Sequence, residues 1–378
     1  GDAVRDALPD AVEKCYFVHD EREPELAGAE SLALNKENRF AALADLPECG
    51  HVLVLAAPFA LAEEDALFHL AETHVTTGYG VSVLAAEQQG FDAEGQPVPR
   101  DTHCFAALFT YEMLMKALES GAADLDGLVA AAVAAGAQKG VAVTNKIYAI
   151  NDGAAAFMAQ VTMMQRINFG LIKKGVQIFD PTNTYIAPDA DIAPGAVILP
   201  GCHIRPGCKV GAGAVIGPNS ILEKAEIGAG TTVNNSQVYE SKVGEKVTVG
   251  PFAYIRPQCV VGDGCRIGDF VELKKSTIGN GTKVPHLSYV GDAQLGDHTN
   301  IGGGTITANY DGVHKHHTTI GSNVHVGAGN LFVAPVTVGD GVTTGAGSVV
   351  RHDVPSDSMV YSENTQHVVE GWKPEWER

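Results

Sequence analysis

Aliphatic side chains recur at every sixth position through most of the second half of the chain. One run starts at Ile186, another at Val243, and further runs start at Ile278 and Ile320. Glycine commonly follows the aliphatic residue, and a small residue tends to stand four places after it. A short fixed period of this kind predicts a parallel β-helix, because one repeat cannot bury its aliphatic side chain until neighbouring coils stack on it. Three hexapeptides would form one triangular coil, which stacks residues i and i+18 about 4.8 Å apart and gives roughly eight to ten coils.

The first half of the chain follows a different pattern. Short apolar runs such as His51–Leu55 and residues 81–84 alternate with Ala-rich segments at 57–73, 111–119 and 124–137 that have the character of helices. Alternation of strand-like and helix-like segments predicts a layered α/β domain.

Residues 153–174 join the two halves with apolar residues at helical spacing. Met158, Met164 and Leu171 would lie on one face, and lysines stand near the end, so an amphipathic connecting helix is predicted. Its methionines favour packing over a cofactor site. The sequence therefore predicts an α/β domain at 1–152, a connecting helix at 153–175, and a β-helix with a C-terminal tail at 176–378.

Composition and charge narrow the possible partners. The 378 residues are 45% hydrophobic and 19% charged, as in a globular protein, with a formal net charge of −19. Such an acidic chain is not expected to bind nucleic acid or an anionic membrane surface. No apolar run approaches the length of a membrane span, and the N-terminus has no basic segment followed by an apolar one. We therefore expect no membrane insertion and a cytoplasmic location.

The repeat also accounts for most of the seven cysteines. Four of them stand four places after an aliphatic repeat position, where alanine stands elsewhere, so they are predicted to be small buried wall residues and neither metal ligands nor disulfides. An odd total without paired spacing is typical of a reducing compartment. The four cysteines at these wall positions are Cys202, Cys208, Cys259 and Cys265.

Polar residues interrupt the repeat between positions 256 and 319. The segment 307–319 is too polar to form a wall of the β-helix and is predicted to loop out. A single His or Lys on such a fold is most often a solvated corner residue, but so many exceptions within a few coils favour a functional site along one edge. The exceptions are Arg256, Glu272, Lys274, His286, Tyr289 and Asn300.

Residues 251–315 carry a specific resemblance. The motifs "PFAYIRP" at 251–257, "VELKK" at 271–275, "KVPHLSYVGD" at 283–292 and "NYDG" at 309–312 closely resemble the acetyltransferase domain of the bifunctional N-acetylglucosamine-1-phosphate uridyltransferase/glucosamine-1-phosphate N-acetyltransferase family. The resemblance implies a left-handed parallel β-helix that assembles as a homotrimer, with active sites shared between subunits. It also implies acetyl transfer from acetyl-coenzyme A (acetyl-CoA) to the amine of glucosamine 1-phosphate, a step toward UDP-N-acetylglucosamine.

The resemblance assigns a role to each residue that matches the family motifs. His286 would be the general base, for which an imidazole is suited by its ordinary pKa near neutrality, and Glu272 would orient or polarise it. Arg256, Lys274 and Lys315 would hold the sugar phosphate. The remaining residues would contact the sugar, the acetyl group or acetyl-CoA: Tyr289, Asn300, Gly303, Asn309, Tyr310, Ala328 and Ala346. Acyl transfer of this type requires no metal, so the histidines of the 307–319 loop are interpreted as solvated.

The coenzyme groove departs from the family pattern. Family members often have Ala at the Gly303 position and Ser at the Ala328 position, and some have Arg where this chain has Glu363. These changes are expected to weaken contacts with the coenzyme phosphates. They do not involve the predicted base.

The first half resembles the family's uridyltransferase domain, a nucleotidyltransferase with a Rossmann-like fold, much more weakly. The chain begins after the position of the family's phosphate-binding loop, and Ala56-Ala57-Pro58 replaces the Gly-Asp whose carboxylate binds Mg²⁺. The family's sugar-binding turn is replaced by "THCFAALF" at 102–109, and only Gly78-Tyr79-Gly80 looks retained. Alanine cannot supply the carboxylate oxygen that Mg²⁺ needs. We therefore expect a truncated domain that lacks normal uridyltransferase activity.

Two other classes of function remain. In the first, the protein is a non-catalytic trimeric scaffold or regulatory relative, which the acidic tail around Glu363 favours. In the second, it is a metal-dependent β-helix hydratase. That function needs three convergent histidines, and His286, His298 and His325 do not share a repeat register.

Overall fold

The structure is a computed structural model that describes residues 16–19, 30–33, 40–55, 59–60, 64–91, 97–144, 148–149, 153–363 and 365–377. The chain divides into two compact units, Gly1–Val161 and Thr162–Arg378, with the boundary inside the connecting helix. The predicted fold class is confirmed, since the first unit is α/β and the second is a parallel β-helix.

The first unit is built on a mixed sheet. Its strands lie in the spatial order His51–Leu55, Pro97–Thr110, Val81–Phe91 and Lys139–Thr144; the last two are parallel and the other neighbours antiparallel. Phe109 and Leu114 are fully buried in the core between this sheet and its helices. Before the connecting helix, the helices in the described residues of this unit are Ala41–Asp45 (3-10), Glu64–Thr77, Tyr111–Leu118 and Leu125–Ala134.

One predicted helix of this unit has different bounds. The segment 57–73 was expected to be helical throughout, but the helix begins only at Glu64. Phe59–Ala60 instead pairs as a strand with Tyr148–Ala149. A further parallel pair joins Tyr16–His19 and Glu30–Ala33.

The connecting helix runs from Gly153 to Lys173, close to its predicted bounds. Leu171 is buried against the first coils of the β-helix, and the side-chain amide of Asn168 donates to the carbonyls of Pro181 and Thr184. Met158 is half exposed, so the predicted apolar face is not buried along its whole length. The C-terminal half of the helix therefore covers the first end of the β-helix core.

The second unit consists of three parallel sheets, which we call sheets A, B and C. In the described residues sheet A stacks ten strands, which matches the predicted number of coils. Its strands are Tyr185–Ile186, His203–Ile204, Ile221–Glu223, Gln237–Tyr239, Tyr254–Ile255, Glu272–Lys274, Tyr289–Gly291, Ile306–Ala308, Leu331–Val333 and Val349–Val350.

Sheets B and C complete the triangular cross-section. Sheet B comprises Asp191–Ile192, Lys209–Val210, Glu226–Ile227, Lys242–Val243, Val260–Val261, Thr277–Ile278, Ala293–Leu295, Thr318–Ile320 and Val336–Val338. Sheet C comprises Gln177–Ile178, Val197–Ile198, Val215–Ile216, Thr232–Val233, Thr248–Val249, Arg266–Asp269 and Lys283–His286. Bridges through Asn300 and His325 extend sheet C to the pair Thr343–Thr344 and Met359–Val360, and the tail ends in a 3-10 turn at Glu375–Glu377.

The predicted repeat positions form the core of the β-helix. Ile198, Ile255 and Phe332 are fully buried, and the other members of the six-residue runs are buried with them. The four repeat cysteines are buried and free, as predicted. None of the helices in the described part of the chain has the length and apolar character of a bilayer span.

The stacking interval departs from the predicted 18 residues in several coils. Arg205 pairs with Glu223 at an interval of 18, but Asp269 pairs with His286 at 17 and Ile221 with Gln237 at 16. Corners with one residue fewer account for the shortening, and several of them place a non-glycine residue such as Lys224 or Lys275 at positive φ. The interval rises to 25 where a loop is inserted between the strands Ile306–Ala308 and Thr318–Ile320. The loop is shorter than the predicted 307–319, because Thr307 and Thr318 are buried in these strands.

Candidate active site

The first part of the site lies on the outer face of sheet A. Tyr254, Glu272 and Tyr289 follow one another in register on adjacent strands. The Arg256 guanidinium donates from Nη1 to Oε1 of Glu272 at 2.8 Å, and this hydrogen bond raises the pKa of Arg256. Both side chains are about two-fifths exposed. The pair therefore presents an accessible cation with a carboxylate beside it.

A second group of charged side chains lies on the following strands. Lys274 Nζ lies 3.6 Å from Asp292 Oδ2, and both side chains are largely buried. A hydrogen bond with the Lys315 amine raises the pKa of Lys274, and the negative charge of Asp292 raises it further. The same hydrogen bond and the charge of Lys274 lower the pKa of Lys315. Asn309 Nδ2 donates to Asp292 Oδ2 at 2.5 Å and to the Tyr289 hydroxyl at 3.3 Å. Two amines thus converge beside one carboxylate, an arrangement suited to an anion.

His286 ends a strand of sheet C at the corner that leads to sheet A. Its Nδ1 lies 2.7 Å from Oδ1 of Asp269, and the two residues are paired in register on adjacent strands. The hydrogen bond with His286 lowers the pKa of Asp269. Glu272 was predicted to orient this imidazole, but it is paired with Arg256, and Asp269 is the carboxylate that contacts the ring. The reason is geometric, since Asp269 stacks on His286 within sheet C whereas Glu272 begins the next strand of sheet A.

The predicted coenzyme residues Gly303, Ala328 and Ala346 form a column along successive corners of the β-helix, which starts at His286. Gly304 N–H donates to the His286 carbonyl, Gly329 N–H to Gly303, and Gly347 N–H to Ala328. A Cβ on Gly303 would lie 3.4 Å from Cβ of His286, so this corner approaches the imidazole closely. Asn300 bridges the strands of Lys283 and His325 on sheet C. The column brings together His286, Gly303, Ala328 and Ala346, while Glu363 is exposed in the tail.

The inserted loop is held by Asp311. Its Oδ1 accepts from the N–H groups of Val313 and His314, and its Oδ2 lies 2.7 Å from Nε2 of His316. These bonds keep the pKa of Asp311 well below its usual range. The Tyr310 ring is exposed, and its hydroxyl donates to Gly312 O at 2.6 Å. No cluster of metal-ligating side chains occurs in the described residues.

An apolar ridge, defined by Phe252, Phe270 and Leu287, runs along the corner between sheets C and A. Each of the three side chains is more than half exposed, and each residue is at positive φ. The rings of Phe252 and Phe270 stack with centroids 5.3 Å apart. Phe270 directly follows Asp269 and Leu287 directly follows His286, so the ridge borders the site.

The family-derived positions of the first unit are only partly described. Ala56, Ala57 and Pro58 lie outside the described residues. Gly78 directly follows the helix Glu64–Thr77, has a positive φ, and donates its N–H to the His74 carbonyl. This glycine therefore terminates the helix. Residues 102–109 lie inside the strand Pro97–Thr110, and Phe105, Ala106, Ala107 and Phe109 are buried in the core.

Asp269 and Asp292 are site residues that the sequence reasoning did not identify. Their signal is the stacking interval: Asp269 stands 17 residues before His286, and Asp292 stands 17 before Asn309. A uniform interval of 18 assigns both carboxylates to the wrong neighbours.

Two family descriptions match parts of the chain: the GMPPB C-terminal domain over residues 237–352, and the bacterial transferase hexapeptide (six repeats) over residues 189–224. The Bifunctional protein GlmU of Bifidobacterium longum is 45% identical over 372 residues, covering 89% of this chain and 81% of that protein. The Bifunctional protein GlmU of Bifidobacterium adolescentis is 61% identical over 207 residues, covering 55% of this chain and 45% of that protein. Among solved structures, the UDP-N-acetylglucosamine acyltransferase of Bacteroides fragilis is 21% identical over 47% of this chain and 69% of that chain, with a TM-score of 0.30.

Proposed function

The chain belongs to the GlmU family, and from that premise we propose that its β-helix transfers an acetyl group from acetyl-CoA to the amine of glucosamine 1-phosphate. The observation that carries the proposal is the convergence of Lys274 and Lys315, with Arg256 on the same sheet, near the corner that holds His286. Cations that can bind a phosphate and an imidazole that can act as a base therefore lie on adjacent sheets of the same coils.

The proposed reaction uses His286 Nε2 as the proton acceptor. The amine nitrogen attacks the thioester carbonyl carbon, its proton passes to Nε2, and the carbon–sulfur bond breaks as the coenzyme thiolate leaves. The thiolate then takes up a proton. Meanwhile Arg256, Lys274 and Lys315 hold the sugar phosphate, and Tyr289 with Asn309 offers hydrogen bonds to the sugar and the acetyl group.

For acetyl-CoA, we place the pantetheine arm along the column of small corner residues. Gly303, Ala328 and Ala346 have no bulky side chain, so an extended chain can approach the stacked backbone corners beside His286. Asn300 borders this column on sheet C. The exposed Tyr310 lies in the inserted loop, a few residues after Gly303 in the sequence. Glu363 repels the coenzyme phosphates, which is expected to weaken coenzyme binding.

We further propose that the partner of the apolar ridge is a second copy of this chain in a homotrimer. The ridge exposes large apolar side chains at Phe252, Phe270 and Leu287, and positive φ at such residues is unfavourable without a compensating role. Because Leu287 follows His286, a second copy seated here would also cover the site. Phe270→Ser is expected to shift the trimer toward monomer in sedimentation equilibrium, and a variant that stays fully trimeric contradicts this assignment.

For the first unit we propose that uridyltransferase activity is absent or impaired. The family's Mg²⁺ site does not fit this sequence, because Ala56, Ala57 and Pro58 supply no carboxylate. The test is turnover of UTP and N-acetylglucosamine 1-phosphate with Mg²⁺, followed as pyrophosphate release. Release at rates comparable to acetyl transfer contradicts this part of the proposal.

The acetyltransferase proposal is tested by thiol release from acetyl-CoA in the presence of glucosamine 1-phosphate. We expect turnover in the wild type and a loss of about 10²- to 10⁴-fold in His286→Ala. His298→Asn is the matched control, since it removes an imidazole at another corner where Asn tolerates the positive φ. Undetectable turnover in a folded wild-type oligomer favours the scaffold function, and full activity of His286→Ala refutes the assigned base.

A further inference from the structure

We propose that Asp269 is a positioning residue for the acetyl transfer proposed above. It fixes the His286 ring in the tautomer that carries its proton on Nδ1, so that Nε2 is free to accept the proton of the attacking amine. The catalytic part of this inference rests on the proposed function. The pairing of Asp269 with His286 does not depend on it.

The backbone brings the two side chains together. Asp269 and His286 are Cα partners on parallel neighbouring strands of sheet C, and Leu287 N–H donates to the Asp269 carbonyl at 2.9 Å on the other side of the corner. Gly268 permits this contact, because a Cβ there would overlap the carbonyl of Pro285. The strands therefore hold Asp269 in register with His286.

Protonation chemistry then selects the tautomer. The Asp269 Oδ1–His286 Nδ1 distance is 2.7 Å, a short hydrogen bond, and the lowered pKa of Asp269 keeps this carboxylate ionised near neutrality. An ionised carboxylate only accepts, so a neutral imidazole must donate from Nδ1 and carry its lone pair on Nε2. As Nε2 takes up a proton, the same carboxylate stabilises the imidazolium and the ring need not turn.

Neighbouring charges do not provide an alternative partner. Glu272 is hydrogen-bonded to Arg256, and the cation beside Asp269 on its own strand is Arg266. Lys283 begins the strand that His286 ends. Within the described residues, Asp269 is thus the carboxylate in hydrogen-bond contact with this ring.

The test combines the tautomer of His286 with the kinetics of the full chain. In ¹⁵N-histidine NMR the wild type is expected to show His286 protonated on Nδ1, with its resonances assigned by comparison with His286→Ala. Asp269→Asn should give a mixture of tautomers, because an amide can either accept from or donate to Nδ1. Its kcat should fall about 10- to 100-fold with KM for both substrates nearly unchanged, a part of what general base catalysis contributes.

Controls separate positioning from a structural effect. Asp340→Asn removes the same charge at another corner, where the carboxylate accepts from Ser322 N–H, and should leave both the tautomer and kcat unchanged. Asp269→Glu restores a carboxylate and should recover the Nδ1–H tautomer together with part of kcat. Equal thermal unfolding temperatures for Asp269→Asn and Asp340→Asn exclude loss of fold as the cause.

The outcomes also distinguish this inference from the proposed function. An unchanged tautomer and an unchanged kcat in Asp269→Asn, with His286→Ala inactive, overturn the role of Asp269 and leave the base in place. A tautomer shift in Asp269→Asn together with a fully active His286→Ala overturns the base and leaves the pairing intact.

Discussion

Replacing Lys274 by Met is expected to weaken binding of the sugar phosphate without affecting the coenzyme. The Lys274 side chain is largely buried, with Nζ close to both Asp292 and Lys315, and Met conserves most of its apolar stem. A hydrogen bond to a charged group contributes about 1.5–3 kcal/mol, which corresponds to a loss of about 10- to 150-fold in affinity. The lower end applies here, because Lys274→Met also removes the hydrogen bond and the coulombic repulsion through which Lys274 lowers the pKa of Lys315.

The assay compares glucosamine 1-phosphate with glucosamine, which lacks the phosphate. Lys274→Met should raise KM for glucosamine 1-phosphate by roughly tenfold or more, and leave kcat/KM for glucosamine and KM for acetyl-CoA nearly unchanged. Lys242→Met, which removes a cation paired with Glu226 on sheet B, is the charge-matched control and should behave as the wild type. If Lys274→Met impairs both amino sugars equally, Lys274 does not contact the phosphate and this reasoning fails.

Three further predictions concern other parts of the molecule. Gly303→Ala should stabilise the fold by about 0.4–1 kcal/mol while Gly304→Ala, at φ +76, should destabilise it by about 1–2 kcal/mol, as measured by urea unfolding. Burial lowers the pKa of His74 to about 4. The unfolded chain therefore binds a proton below about pH 6.5 that the folded chain does not, and on the order of 2–3 kcal/mol of stability is lost as the pH falls to 4; His74→Gln should abolish this dependence in urea titrations. In the native protein a thiol reagent should modify the exposed Cys49 rapidly, and should reach the buried thiols, whose pKa values burial raises, only on unfolding: Cys202, Cys208, Cys259 and Cys265.

The six-residue period predicts the β-helix because it follows directly from the geometry of a triangular coil. Ile198 and Ile255 occupy its core as their positions require, and Cys202 stands in the small wall slot. The period does not predict which polar residues meet, because that depends on corners of one or two residues whose length the aliphatic pattern does not record. A corner shortened by one residue places Asp269 on His286. The Arg256 side chain reaches diagonally to Glu272, although Tyr254 is the residue in register with Glu272. The fold is therefore predictable from local spacing, whereas the pairing of side chains in the site depends on the total number of residues in each coil.

The charges of the site suit a substrate that carries both signs. Two of the three cations predicted to hold the phosphate already face a carboxylate: Arg256 faces Glu272, and Lys274 faces Asp292. A simple anion would have to compete with these carboxylates, which reduces its affinity. An amino-sugar phosphate brings an ammonium as well, so its phosphate can take the cations while its ammonium approaches a carboxylate that the phosphate has released. Acetylation removes that positive charge, and the product loses the second interaction. The same paired charges that reconcile an acidic chain with an anionic substrate thus favour substrate over product.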